Sequence, residues 1–168
     1  MFREMRRNQQ ALSQEDCIAV LNRGTSGVLA LDGDDGYPYA LPISYVYDEG
    51  KLYFHCAKSG HKLDAVRRNA KASFCVIDQD SVVPEEYTSY FRSVIAFGTM
   101  RILEDEGEKR AALEKLAVKY APADSDDHRR QAIADYWTAV CMLELKVDHL
   151  TGKQARELVQ KKGCATDI

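Results

Sequence analysis

Hydrophobic positions change their period several times along the 168-residue chain, and each change marks an element. In SQEDCIAVLNRG, Cys17, Ile18 and Leu21 recur at helical spacing, Ser13 is a natural N-cap and Gly24 a natural end. From Ser26 the period falls to two. SGVLALD, PYALPISYVYD, KLYFHCA and KASFCVID are short, rich in Val, Ile, Tyr and Phe, and read as strands. In the second, Tyr39, Leu41, Ile43, Tyr45 and Tyr47 share one face. In the third, Leu52, Phe54 and Cys56 oppose Tyr53, His55 and Ala57. The DEGK segment predicts a tight hairpin, and Pro42 inside a strand pattern predicts an edge or a bulge.

HKLDAVRRN predicts a short helix beginning near Gly60 or His61, with Leu63 and Val66 inward. YFRSVIAFGTMRILED predicts a long strand, in which Gly98 marks a bend or a close backbone approach. EGEKRAALEKLAVKY carries Leu113, Leu116, Ala117 and Tyr120 on one helical face and stops before Pro122; HRRQAIADYWT repeats the pattern more weakly. TAVCMLELKVDHL alternates, placing Cys141, Leu143, Leu145 and Val147 inside and Glu144, Lys146 and Asp148 in water. TGKQARELVQKKG reads as an exposed tail with a helical turn. Five to seven antiparallel strands with three or four helices predict an α+β, mainly β protein built on a barrel. With no repeat and no dividing linker, residues 1–168 form one expected domain.

Composition narrows the function classes. Hydrophobic residues at 45% and charged residues at 29% are ordinary for a globular chain, and a net charge of −3 argues against a general nucleic-acid partner. No apolar run is long enough to span a bilayer, and MFREMRRNQQ has no apolar region after its basic residues and so does not read as a secretory signal; with five scattered cysteines, a reducing cytoplasm is expected. The five cysteines are scattered without a C-x-x-C pair, and the four histidines show no ligand spacing, so neither a disulfide framework nor a metal site is expected.

The candidate chemistry lies in YFHCAKSGHK. Ser59 and Gly60 precede a helix whose first residues are His61 and Lys62, with Arg67 and Arg68 further along. A helix N-terminus presents unpaired N–H groups and positive potential; a hydroxyl, a glycine and a lysine beside it are the parts of a phosphate cradle. Basic residues near a helix start are also commonly just solvated. His55 reads either as a structural histidine or as a site residue. Cys56 follows it but faces the other side of the strand, so the two do not form a nucleophilic pair.

The order of these segments is informative. PYALPISYVYD, YFHCAKSGHKLD, SVIAFG and the late LTGK (150–153) resemble the FMN-binding split-barrel superfamily of pyridoxamine 5′-phosphate oxidase, and more narrowly its nitroimidazole-resistance (Nim-type) branch. The resemblance implies a six-stranded antiparallel split β-barrel with flanking helices, a homodimer, and FMN at the subunit interface. It sets His61 and Lys62, with Ser59, against the FMN phosphate. Tyr53, Phe54 and His55 would line the flavin ring, Pro42, Ile43 and Ser44 would border it, and Ser93 would approach from the second subunit. His61 stands where the oxidases usually carry Arg, which shifts the phosphate's demand toward Lys62. The C-terminal substrate motif of the true oxidases is missing. The implied function is an FMN-dependent oxidoreductase acting on a small nitroaromatic or quinone-like acceptor, with His55 as the candidate catalytic group. The alternative is a flavin- or haem-binding sensor or carrier without turnover.

Overall fold

In the computed structural model, residues 1–163 are described, with side chains through Val159; Cys164 lies outside them. Helix α1 (Gln14–Arg23) starts where the Ser13 hydroxyl accepts the Asp16 N–H and ends with the Gly24 N–H on the Val20 carbonyl. Its buried residues, Cys17, Val20 and Leu21, are the predicted stripe with Val20 in place of Ile18. Strands β1 (Ser26–Asp32), β2 (Pro38–Ser44), β3 (Val46–Asp48) and β4 (Lys51–Ala57) follow, then α2 (His61–Arg68) and the long strands β5 (Lys71–Val83) and β6 (Thr88–Ile102). Helices α3 (Glu106–Tyr120) and α4 (Asp126–Tyr136) precede strand β7 (Val140–Gln154) and helix α5 (Arg156–Gly163). Asp105 and Ser125 accept N–H groups from the first turns of α3 and α4, caps worth about 1 kcal/mol each.

The strands form one antiparallel sheet in the order β2-β1-β5-β6-β7-β4-β3, and it curls until β2 approaches β4. The β3–β4 turn takes positive φ at Glu49 (43°) and Gly50 (80°), the signature of the hairpin turn that DEGK predicts. Pro42 lies on an edge strand, and Gly98 on a bulge where the β6–β7 register shifts; a methyl group at Gly98 would collide with the Lys146 carbonyl.

Seven strands stand where the resemblance implies six, because the run from Pro38 to Asp48 breaks at Tyr45. The Tyr45 side chain is buried, donating its hydroxyl to the Leu21 carbonyl at 2.8 Å. Its backbone finds no strand partner. The N–H donates to the Tyr120 hydroxyl at 2.9 Å, and the same hydroxyl lies against the carbonyls of Tyr45 and Thr25. One phenol from α3 thus replaces a strand neighbour at the seam.

Two apolar clusters hold the fold. The larger fills the barrel with Leu29, Leu52, Phe54, Phe74, Val94, Leu143 and Leu145 under α1 and α2. The smaller lies outside the barrel wall, where Val46, Tyr53 and Met142 meet Leu103, Ala112 and Leu116. Two expectations fail here. Glu144, expected in water, is only 4% exposed, because α3 covers that face of β7. The TGKQ segment, expected in an exposed tail, continues β7 against Arg92–Ile95, with Gly152 pressed between Leu12 and Cys17. Neither covering element is visible in a two-residue alternation.

Candidate functional site

The site begins with an unfinished strand pair. β4 bonds to β7 along its whole length, from Lys51↔Lys146 to Ala57↔Val140, whereas β3 accompanies it only as far as Tyr53. The Val147 N–H donates to the Gly50 carbonyl at 2.9 Å, which fixes the alternation of the antiparallel ladder. Residues 52, 54 and 56 therefore turn their peptide groups toward β7, and residues 53, 55 and 57 turn theirs the other way. For Tyr53 that side holds Val46. For His55 and Ala57 it holds no strand, so β4 ends as an open row of backbone donors and acceptors facing the split.

Three residues separate that row from α2. Gly60 is the N-cap, with φ 126°, and no side chain caps the helix. A Cβ at Gly60 would meet nothing within 4 Å, so the space in front of the first turn is open. Ser59 and Gly60 are exposed, and Lys62 lies close enough to oppose the upward shift of the Cys56 thiol. The open edge, the uncapped helix and the lysine together suit a ligand with a polar planar end and an anionic end. These residues fit a flavin.

His61 is less free than the sequence implies. Its ring stacks on Tyr39 with centroids 4.0 Å apart, and Nε2 is 3.3 Å from the Asp34 carboxylate. Asp34 also binds Arg68 at 2.8 Å; that hydrogen bond and the nearby His61 hold its carboxyl below the usual range. The DGDDG loop thus brings an acid to the basic pair. A phosphate placed there would depend on Lys62 and the helix N–H groups.

The other predicted residues divide by orientation. His55 is exposed on the outer face of the barrel, facing α3 and α4. Phe54 is wholly buried inside the barrel, and Tyr53 is 8% exposed on the outer face beneath α3. On β2, Ile43 packs against the core, Ser44 is half-buried and Pro42 is exposed. Ser93 is not brought to this cluster within the chain; it sits on the outward row Ile77–Ser93–Lys153.

Two features escaped the sequence. Cys56 and Cys141 are direct cross-strand partners, and burial pushes the Cys56 thiol up to about 11, with the neighbouring Cys141 adding to the shift. They are far apart in sequence, so only the strand register reveals them. The second is a cleft of about 590 Å³ between the outer face of β4–β7 and helices α3 and α4, with His55 on its floor. No helix among the described residues is long and apolar enough to cross a membrane.

Comparisons with known proteins agree with this architecture. A candidate 5-nitroimidazole antibiotic resistance protein from Bacteroides thetaiotaomicron superposes with TM-score 0.70 at 22% identity, covering 86% of each chain. A conserved hypothetical protein from Mycobacterium tuberculosis gives 0.79 at 18% identity over 92% of each chain. An FAD and heme binding protein from Mycobacterium smegmatis gives 0.71 at 22% identity, covering 92% of this chain and 80% of its own. No curated protein matches the sequence. The family profile described as pyridoxamine 5′-phosphate oxidase matches residues 13–154, and the chain belongs to that family.

Proposed function

We propose that this protein is an FMN-dependent oxidoreductase that works as a homodimer on a small nitroaromatic or quinone-like acceptor. The observation that carries the cofactor is the open backbone edge of His55 and Ala57, running within three residues to the uncapped start of α2 and Lys62. The edge offers paired donors and acceptors to the pyrimidine rim of an isoalloxazine, and the helix start offers N–H groups and a cation to its phosphate. FMN, when bound, supplies the electron transfer. His55, exposed beside that edge, is placed to donate a hydrogen bond or a proton to the acceptor. The M. smegmatis relative is an FAD and heme binding protein; the mononucleotide reading for this chain is the expectation drawn from the helix start at α2 and Lys62.

Support for the dimer comes from the barrel's outer face. Register aligns Pro42, Val28, Cys75, Ile95 and Thr151 in one row, and Ala40, Ala30, Ser73, Phe97 and His149 in the next. Val28 and Ile77 are exposed on this face at 38% and 65% and offer apolar surface to a second copy, while Phe2 packs over Phe97 and His149 in the second row. Sedimentation should give twice the 18.9 kDa chain mass; a monomer at micromolar concentration would remove the shared site.

The cofactor test is a titration with FMN and with riboflavin. Lys62→Ala should weaken FMN about ten- to a hundredfold, the value of a charge-assisted hydrogen bond, and leave riboflavin almost unchanged. Equal losses for both would show that Lys62 acts through folding. A second reading is favoured by His55 itself, exposed in an apolar cleft as an axial ligand would be: haem binding without turnover. The absorbance spectrum separates the two, as a flavin doublet or as a Soret band.

A further inference from the structure

Among the described residues, one pair of cysteines is brought together by the strand register. Cys56 and Cys141 are direct cross-strand partners, whereas Cys17 is sealed on α1 and Cys75 stands opposite Val28 and Ile95. The alternation set by Val147 and Gly50 makes Cys56 and Cys141 a hydrogen-bonded pair, with Cα atoms about 5.5 Å apart. Disulfides bridge Cα separations of about 4.4–6.8 Å, most often about 5.5–6 Å. Opposed residues project to the same face of the sheet, and the two thiols are hydrogen-bond neighbours. A bridge can therefore close with both strands left where they are.

Position decides what such a bridge would do. The pair is the last but one of the β4–β7 ladder, and on its other side β4 has no strand neighbour at His55 or Ala57. The end of β4 thus hangs on β7 alone. Both cysteines are half-buried, so neither is sealed from a small oxidant. Burial pushes the Cys56 thiol up to about 11, with Cys141 adding to the shift and Lys62 opposing it. A thiol held in its protonated form attacks slowly, which argues against rapid dithiol catalysis. It also leaves the reduced pair without the thiolate stabilisation that makes a disulfide easy to reduce. Slow closure and reluctant reopening describe a latch.

We propose that Cys56 and Cys141 form a redox-sensitive latch, which a peroxide closes into a disulfide that pins the end of β4 to β7. One sulfur attacks hydrogen peroxide, the O–O bond breaks, and a sulfenic acid and water are formed. The second sulfur then displaces the hydroxyl group as another water. In sum, two thiols and one peroxide give one disulfide and two waters. This inference is independent of the flavin reading, because it needs only the strand pair.

The test holds the full chain, reduced and freed of reductant, in millimolar hydrogen peroxide, then alkylates it and cuts it with trypsin. Each sulfur lies in its own tryptic peptide, residues 52–58 and 131–146, with no second cysteine in either. The two peptides should appear joined and two hydrogens lighter, within a single chain, and dithiothreitol should part them. The oxidised protein should melt several degrees higher than the reduced one, because the bridge closes a long loop. Cys56→Ser and Cys141→Ser should each lose both the joined peptide and the gain in melting point, whereas Cys75→Ser should keep both. If one serine variant fails to fold, the other and the wild-type peptide map still decide. Thiols that stay free, sulfinic acid at either residue without a joined peptide, or a bridge to Cys17, Cys75 or Cys164 would overturn the assignment. So would a bridge between two chains, or one that leaves the melting point unchanged.

Discussion

The two faces of the β4–β7 pair are built from the same residues in alternation, yet they do opposite things. On the inner face, Leu52, Phe54, Leu143 and Leu145 are all fully buried in the barrel. On the outer face the pair is sealed at one end and open at the other. The sealed end has Tyr53 and Met142 beneath α3, with Glu144 held between Arg101 and Lys51 at 2.8 and 3.2 Å. Arg101 also grips Glu108, tying α3 to the wall. At the open end His55, Ala57 and Val140 face the cleft. Filling one face completely leaves the other free to be partly empty, and the empty part is where candidate chemistry collects.

The sharpest way to break that contrast is Phe54→Ala. Removing a fully buried ring from the barrel should cost about 3–5 kcal/mol in denaturant unfolding. A loss below about 1 kcal/mol would mean that the inner face is not where the stability resides.

Glu144→Gln probes the sealed end and should cost about 1–3 kcal/mol at neutral pH. Burial alone would raise the Glu144 carboxyl, but hydrogen bonds from Arg101 and Lys51 outweigh it and hold the group below its ordinary value of 4.5. A depressed carboxyl contributes stability above its unfolded value and loses it as pH falls through the folded one. The gap between wild type and Glu144→Gln should therefore be widest above about pH 5 and close in acid. Melting curves from pH 7 to pH 3 that stay parallel would exclude this linkage.

His55→Ala should have the smallest effect on folding, within about 0.5 kcal/mol, because the side chain is exposed. If His55 moves a proton in turnover, the same change should slow reduction of a nitroaromatic or quinone about 10²–10⁴-fold with FMN affinity retained. Unchanged turnover would take the residue out of the chemistry.

Much of this was legible in local pattern. The limits of β1 and β4 fall where the alternation places them, and Ser13, Gly98 and the Glu49–Gly50 turn have the predicted roles. What was not legible depends on partners distant in sequence. Glu144 looks solvated until α3 is folded over it, and Gly152 looks like a tail residue until Leu12 and Cys17 close on it. At the candidate site, SGHK announces a helix start with a cation, but not that Asp34 occupies His61. Nor does any motif announce that β3 begins only at Val46, opposite Tyr53, which is what leaves the His55 edge open. Chain pattern encodes faces; edges are set by which strand ends first.

The Tyr120 hydroxyl has a consequence for cooperativity. It is the last residue of α3, and it satisfies the Tyr45 backbone at the break between β2 and β3. The helix that roofs the cleft and the seam of the barrel therefore share one fastening. Lifting α3 would expose the Tyr45 amide to solvent, so its hydrogen-exchange rate is a built-in gauge of how far the roof opens. Tyr120→Phe should speed exchange at Tyr45 and loosen the helical layer together, joining in one measurement two regions 75 residues apart in sequence.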